Sequence, residues 1–245
     1  MKKSAFVLLS LWYLFAFITS KPFLPYPHLV LLHTLKAFLN GILATHLAIS
    51  AYRIIVALAG ATVTAAVFAL TAGRIPKADR FLTPFAYILY PIPKVALLPV
   101  IMLFLGLGNL SKFFFIAIVV FFQLYFVIRD AAHAIDQHYI DSVRSLGASR
   151  SEMLIHVIIP AVLPSLFTAL RVSTGTATAI LFLAETFATT TGLGWYIMDS
   201  WARLDYLDMY AGITALSLLA MSLFVLFSFL DRKLCPWMHL KDQNE

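Results

Sequence analysis

Six long apolar stretches, each bounded by charged residues, constrain this sequence more than any other feature. They cover residues 4–20, 54–73, 81–109, 113–128, 153–184 and 209–230. A helix needs about 20 mostly apolar residues to cross a bilayer. Hydrophobic residues make up 61% of the chain, whereas about 45–50% is usual in a soluble domain. We therefore expect an all-α, polytopic membrane helix bundle with about six transmembrane helices.

The distribution of charge predicts the orientation of these spans. The chain has 18 basic and 12 acidic residues, a net charge of +6. No basic run with interleaved aromatic residues occurs, so the excess indicates cytoplasmic loops rather than nucleic-acid binding. With the N-terminus inside, most of the basic residues fall in inner loops, and the outer segments hold Lys21, Lys36, Arg53, Lys112 and Arg203. This predicts a multi-pass protein of the cell (inner) membrane with both termini cytoplasmic.

Two segments leave alternatives open. Residues 4–20 follow Lys2 and Lys3, as a signal peptide would, but no A-x-A cleavage pattern precedes Lys21. We expect a retained first span. Residues 25–52 are apolar but interrupted by polar residues, which favours an interfacial helix leading into the second span. A seventh span is the alternative.

The sequence contains no motif for chemistry of its own. It lacks G-x-x-x-x-G-K-[ST], H-E-x-x-H and C-x-x-C, and its single cysteine is Cys235. The seven histidines are scattered. We expect no catalytic residues, no metal site and no cofactor in this chain, so that energy for any transport comes from a partner or from a gradient.

The longest predicted inner loop, about residues 129–155, is rich in helix signals. Its apolar residues recur at helical spacing and predict one shared face; they are Ile135, Tyr139, Val143 and Leu146. Gly147 stands where a helix C′ glycine is expected. Ser149 and Glu152 match the capping box of a new helix that continues past Pro160 into the fifth span. Such an amphipathic helix either lies on the lipid surface, packs on its own bundle, or binds a partner.

The same loop resembles the EAA loop of binding-protein-dependent ABC importer permeases. Asp141-Ser142-Val143 stand at the acidic-small-small positions, Gly147 at the glycine, and Val157, Ile159 and Pro160 at the hydrophobic and proline positions. Other motifs resemble the nitrate, sulfonate, taurine and bicarbonate subfamily: Pro91–Pro99, Gly106–Gly108, Ser145–Ser149, Leu170-Arg171, Ala184-Glu185 and Gly192–Gly194. The resemblance covers roughly residues 46–235.

The resemblance implies a type I ABC importer permease fold and a division of the chain into three parts. Residues 1–45 hold the first span and the external interfacial helix, 46–235 the permease domain, and 236–245 a cytoplasmic tail. It also implies ATPase subunits that bind ATP and Mg, an external solute-binding protein, and a second permease subunit in a homodimer. The implied ATPase-coupling residues are Ile135, Tyr139, Asp141, Ser142, Val143, Leu146, Gly147, Ala148, Ser149, Glu152 and Pro160.

Polar residues inside the predicted spans are candidates for the translocation path or its gate, because intramembrane charges are costly. Lys94 lies among Pro91, Pro93 and Pro99, and either attracts an anion, snorkels, or caps carbonyls freed by the prolines. Arg171 shares a helical face with Thr174 and Thr178, which either line a path or pack closely. Glu185 is expected to pair with a cation on a neighbouring helix.

These features predict the permease subunit of an ATP-driven importer, a transport subunit without an ATPase site of its own. The resemblance implies a small anionic solute: sulfonate, taurine, nitrate, bicarbonate or a thiamine precursor. The alternative is a gradient-driven secondary transporter or channel, although the sequence shows no mirrored repeats.

Overall fold

The computed structural model describes residues 2–239, with side chains described for residues 6–238. That part of the chain is mostly helical and contains no strand. The α-helices are α1 (Lys2–Thr19), α2 (Pro27–Leu39), α3 (Ile42–Arg74), α4 (Pro76–Leu89), α5 (Leu98–Leu105), α6 (Asn109–His133), α7 (Gln137–Ser145), α8 (Arg150–Met153), α9 (Ile159–Thr186), α10 (Leu193–Ala202), α11 (Tyr206–Leu234) and α12 (Pro236–His239). A 3₁₀ turn (Lys94–Leu97) precedes α5, and a π-helical segment (Leu154–Ile158) joins α8 to α9.

Four continuous helices are long and apolar enough to cross a membrane. They are α3, α6, α11 and the 37-residue run Arg150–Thr186. A fifth candidate is the pair Pro76–Leu89 and Lys94–Leu105, which is bent by 84° at its break. The apolar part of α1, Phe6–Thr19, is shorter. Every predicted span therefore coincides with a helix or with the bent pair, and the predicted all-α membrane bundle is confirmed.

The predicted start of the second span is wrong by about three helical turns. The structure ends α2 at Leu39 and starts α3 at Ile42, so Arg53 lies well inside a helix instead of at its end. Gly41 makes the break, because its φ of +83° is a left-handed conformation that glycine adopts readily. Residues 25–52 therefore form one short helix and the first part of α3, and the described chain has no separate seventh span there.

Small side chains let α3 and α6 pack closely at the centre of the bundle. Ala57, Ala61, Ala65 and Ala69 recur every four residues along α3, and each is at most 1% exposed. A β-carbon added to Gly73 would lie 2.7 Å from the Ala132 β-carbon and 2.7 Å from the Arg129 carbonyl oxygen. Such small-residue contacts hold membrane helices together by close backbone approach. The α3–α6 pair therefore forms the closely packed centre of the bundle.

Candidate functional site

The loop between α6 and Pro160 folds as a separate short helix, a tight turn and a second helix. Asp136 begins α7, since its Oδ1 accepts a hydrogen bond of 2.9 Å from the His138 amide. Ile140 is buried against the bundle, and Ile135 and Val143 pack partly on the same core. Tyr139 and Leu146 are 69% and 86% exposed. The expectation of one apolar face for all four predicted residues is thus wrong: α7 has an anchored face and an exposed one.

The turn after α7 depends on Gly147. Its φ of +90° is in the left-handed region, where a side chain is strained, and its amide donates to the Arg144 carbonyl oxygen at 2.9 Å. Ala148 follows, half-buried, and Ser149 then begins the next helix. The predicted helix, turn and helix order is therefore present around Gly147.

The predicted capping box is confirmed at Ser149 and Glu152. The Ser149 amide donates to Glu152 Oε2 at 2.8 Å, and the Glu152 amide donates to Ser149 Oγ at 3.3 Å. Two amides that have no partner within the helix are satisfied reciprocally. The start of the 37-residue helix is therefore fixed directly after the turn.

Pro160 sits at the end of the π-helical segment. The Ile159 amide donates to the carbonyl of Leu154, five residues earlier, instead of four. A proline within a helix has no amide to donate, and its ring clashes with the carbonyl four residues before it. The wider turn accommodates that ring without ending the helix, so α8 stays mechanically continuous with α9.

The first two of the acidic-small-small positions, Asp141 and Ser142, lie on the exposed surface of α7. Asp141 Oδ1 accepts from Gln137 Nε2 at 3.0 Å, and Ser142 Oγ donates to the His138 carbonyl at 2.7 Å. Both residues are exposed. A partner could therefore contact this surface together with Tyr139 and Leu146 without displacing any residue of the bundle.

Lys94 caps the broken end of α4. Its Nζ donates to the carbonyl oxygens of Tyr90 at 2.7 Å and Leu89 at 3.1 Å, and it lies 4.5 Å from the centre of the Phe122 ring. Of the predicted alternatives, the structure has the one in which Lys94 satisfies carbonyls at a proline-rich break. The ammonium group is thereby held at the 84° bend.

Arg171 is paired and lies near one end of the bundle. Its Nη1 contacts Asp231 Oδ2 at 2.7 Å, and Asp231 is three residues from the end of α11. Thr174 and Thr178 each donate to a carbonyl of their own helix, at 2.9 and 2.8 Å. Thr174 is buried in packing, whereas Thr178 lines a shallow groove beside Ser217 on α11. The three residues therefore do not form one open polar face.

Glu185 is the centre of a buried polar cluster at the opposite end of the bundle. Its carboxylate accepts from Ser50 Oγ at 2.8 and 2.9 Å, from Arg53 Nη1 at 2.8 Å and from the Gly194 amide at 2.9 Å. The Glu185 side chain is fully buried and that of Arg53 is 4% exposed. The expected cation partner of Glu185 is therefore Arg53 on α3.

The turn between α9 and α10 is built around that carboxylate. A β-carbon on Gly192, whose φ is +106°, would lie 2.3 Å from Glu185 Cδ. One on Gly194 would lie 2.6 Å from the Phe182 carbonyl oxygen. His46 Nδ1 accepts from the Gly192 amide at 3.1 Å. Only residues without a side chain fit these two positions.

Sequence reasoning missed the cationic half of this cluster. The charge pattern predicts that Arg53 and Lys112 lie in outer segments. In the structure both are buried, and Lys112 Nζ donates to the carbonyls of Leu107 and Gly108. Arg53 also donates to Asn109 Oδ1 at 2.8 Å and to the Thr191 carbonyl at 2.8 Å. The eleven residues between Gly41 and Arg53 include one positively ionisable group, His46, and are otherwise uncharged. That apolar run was a signal that Arg53 is internal.

Comparison with known proteins agrees with this architecture. Residues 61–239 match the family model described as binding-protein-dependent transport system inner membrane component. The taurine transport system permease protein TauC of Escherichia coli (strain K12) is 32% identical over 94% of this chain and 86% of its own length. The formylaminopyrimidine transport permease protein ThiX of Halalkalibacterium halodurans is 25% identical over 94% of this chain and 92% of its own.

A solved structure shows the same fold. A chain of the MetNI methionine ABC transporter, in an inward-facing conformation, superposes with a TM-score of 0.63 at 16% identity, covering 80% of this chain and 97% of that one. The chain belongs to the family of binding-protein-dependent transport system inner membrane components. It is a multi-pass permease of the ABC importer class, a transport component.

Proposed function

We propose that this protein is the membrane-spanning subunit of an ATP-driven importer in which the element α7–Gly147–α8 couples an ATPase to the bundle. One observation carries the proposal. A short helix with an exposed face is followed by a glycine turn and a capped helix that runs for 37 residues into the membrane-spanning bundle. Motion applied to α7 therefore passes through the Gly147 turn into one continuous helix, Arg150–Thr186.

The coupling step follows from that geometry. The exposed Tyr139 and Leu146 enter a cleft of the partner ATPase, which binds ATP and Mg. Asp141 and Ser142 supply polar contacts beside them. Closure of the ATPase pair then moves α7 as a rigid body, and α8 carries that movement into α9. Alternating access arises as rocking of the bundle around the solute.

The solute we propose is a small sulfonate of the taurine type, delivered by an external binding protein. The support is the extended similarity to TauC; the similarity to ThiX keeps a pyrimidine precursor of thiamine as the second candidate. Nitrate and bicarbonate are weaker candidates, supported by sequence motifs alone. Lys94 and Arg171 are each bonded within the bundle, so a gating role for them is favoured over direct capture of the anion.

We further propose that Glu185, Thr174 and Thr178 shape the path by fixing α9, and that two copies of this chain enclose it. Leu103 and Phe104 on α5 are each 84% exposed at the bent pair. Exposed apolar residues next to a proline break suit a contact with a second permease chain. That arrangement places α9 of both copies beside a shared pathway.

The test is reconstitution of this chain with its ATPase and its binding protein in proteoliposomes. We expect uptake of radiolabelled taurine that requires ATP, and loss of that uptake with an ATPase whose nucleotide-binding lysine is replaced. Uptake that continues without ATP and stops when ion gradients are collapsed would establish the gradient-driven alternative. A parallel assay with a formylated aminopyrimidine separates the two solutes.

A further inference from the structure

A groove of about 760 Å³ lies between the end of α3 and the start of the 37-residue helix. Arg74 is at the end of α3, Arg144 is in the last turn of α7, and Arg150 begins α8. All three arginines line the groove, and no acidic residue of the described part of the chain does. The groove is thus lined by arginines from three elements.

These cations are largely unused within the described part of the chain. Arg144 and Arg150 are exposed, and their side chains have no ion pair or hydrogen bond among residues 6–238. Arg74 makes one hydrogen bond of 3.2 Å to the Ala132 carbonyl. The nearest carboxylates along the chain are used elsewhere, since Glu152 closes the capping box and Asp141 accepts from Gln137. Most of the guanidinium donors therefore remain available to an anion.

The wall above the arginines is apolar and runs into the membrane-spanning part of α3. Leu70, Val67 and Ala66 line it on one side, and Leu154 and Ile158 of the π-helical segment line it on the other. Ala66 is eight residues before Arg74, about 12 Å along a helix. Val67 is 60% exposed. One end of the groove therefore suits an anion and the other suits a hydrocarbon chain.

We propose that this groove binds one anionic phospholipid, with its phosphate among Arg74, Arg144 and Arg150 and an acyl chain along Val67 and Leu70. Guanidinium groups match phosphate oxygens in a bidentate geometry. Basic pockets between membrane helices at the bilayer surface bind anionic headgroups. The proposal requires only that the chain spans the bilayer, and it goes beyond the transport function proposed above.

The apolar wall favours a lipid over the other anions that three arginines could attract. A free phosphate ion would make no contact with the apolar wall at Val67 and Leu154. Acidic residues of a protein partner would use the arginines but not the wall, which extends away from the exposed face of α7. A lipid satisfies both ends, and it would link α3, α7 and α8 in one contact.

The test is lipid retention by the purified protein, measured by native mass spectrometry after exchange from nanodiscs of phosphatidylglycerol or phosphatidylcholine. We expect preferential retention of phosphatidylglycerol, and a fall in that preference of about tenfold in the double variant Arg144→Gln/Arg150→Gln. The matched control is Lys77→Gln/Arg80→Gln, which removes the same charge from exposed residues at the same end of the bundle that do not line the groove. This control should retain the preference.

A second variant separates a lipid from a bare anion. Val67→Gln leaves the arginines in place and should lower phosphatidylglycerol retention, because it makes the acyl wall polar. The proposal is overturned if the preference for phosphatidylglycerol survives Arg144→Gln/Arg150→Gln, or if the control Lys77→Gln/Arg80→Gln abolishes that preference equally. It is also overturned if inorganic phosphate displaces the bound lipid as effectively as added phosphatidylglycerol does. Each result is independent of ATP-driven uptake, so failure here and failure of the transport proposal are distinguishable.

Discussion

At the scale of single residues, the Glu185 carboxylate shows how one buried charge organises three helices. Taking a carboxylate and a guanidinium out of water costs several kcal/mol per ion unless geometry and hydrogen bonds compensate. Here Arg53, Ser50 and the Gly194 amide supply those bonds. Loss of either charged partner leaves the other one buried and uncompensated.

Removing one member of that pair should destabilise the protein strongly. We expect Glu185→Gln and Arg53→Gln each to cost about 3–5 kcal/mol of unfolding free energy. The double variant should cost clearly less than the sum, because no uncompensated charge remains. Thermal unfolding of the three variants in detergent measures this cycle. Strictly additive losses would mean that the two charges do not interact.

Gly192→Ala should also destabilise the turn, because its β-carbon would collide with the Glu185 carboxylate at a positive φ. We expect a loss of about 1–3 kcal/mol. Gly60→Ala is the control, since nothing lies within 4 Å of its added β-carbon. The melting temperature should fall for Gly192→Ala and hold or rise for Gly60→Ala. Equal melting temperatures for the two variants would contradict the close approach of Gly192 to the Glu185 carboxylate.

Cys235 should react slowly with maleimides. It is fully buried, and burial beside Asp231 raises the pKa of its thiol to about 11. Because the thiolate is the reactive form, the labelling rate should rise steadily from pH 7 to pH 10. A Ser142→Cys/Cys235→Ser variant provides an exposed thiol for comparison. Equal rates for the two thiols at pH 7.5 would contradict the burial of Cys235.

At the scale of elements, the loop around Gly147 was largely predictable because its signals are local. A glycine at a helix end and a Ser-x-x-Glu box act within four residues. The packing of α7 was not predictable to the same degree. Tyr139 and Val143 share the helical period but face different surroundings, since burial depends on where α3 and α6 lie.

Gly147→Val should uncouple ATP hydrolysis from uptake without preventing insertion. A β-branched residue is strained at a φ of +90°, so the direction of α7 relative to α8 should change. We expect at least a tenfold loss of solute transported per ATP hydrolysed. Gly108→Val is the matched control, because φ there is −75° and nothing lies within 4 Å of an added β-carbon. Normal coupling in Gly147→Val would overturn the assignment of this turn.

At the scale of the whole molecule, the six apolar segments were visible in the sequence, but their exact ends were not. Charges mark the ends of spans only where they meet water. Arg53 instead contacts the Glu185 carboxylate, and Lys112 contacts backbone carbonyls. These partners are distant in sequence or belong to the backbone, so the order of charged and apolar residues does not predict them.

The predicted orientation places α7 and both termini in the cytoplasm. In a Cys235→Ser background, Thr190→Cys at the Glu185 end should react with a membrane-impermeant maleimide in intact cells. Ser142→Cys on α7 should react only after permeabilisation. Both positions are exposed in the structure, so access to the reagent decides the result. The reverse pattern would invert the topology.

The π-helical segment at Leu154–Ile158 also sets a rotational phase between the two ends of the molecule. It holds one more residue than an α-helical turn with the same end points. Deleting one of those residues would restore ordinary spacing and rotate everything before it by about 100°, the angle per residue of an α-helix. The surface that α7 presents would then point a quarter-turn away from its present direction. The number of residues between Gly147 and Pro160 is thus as much a part of the coupling device as their identities.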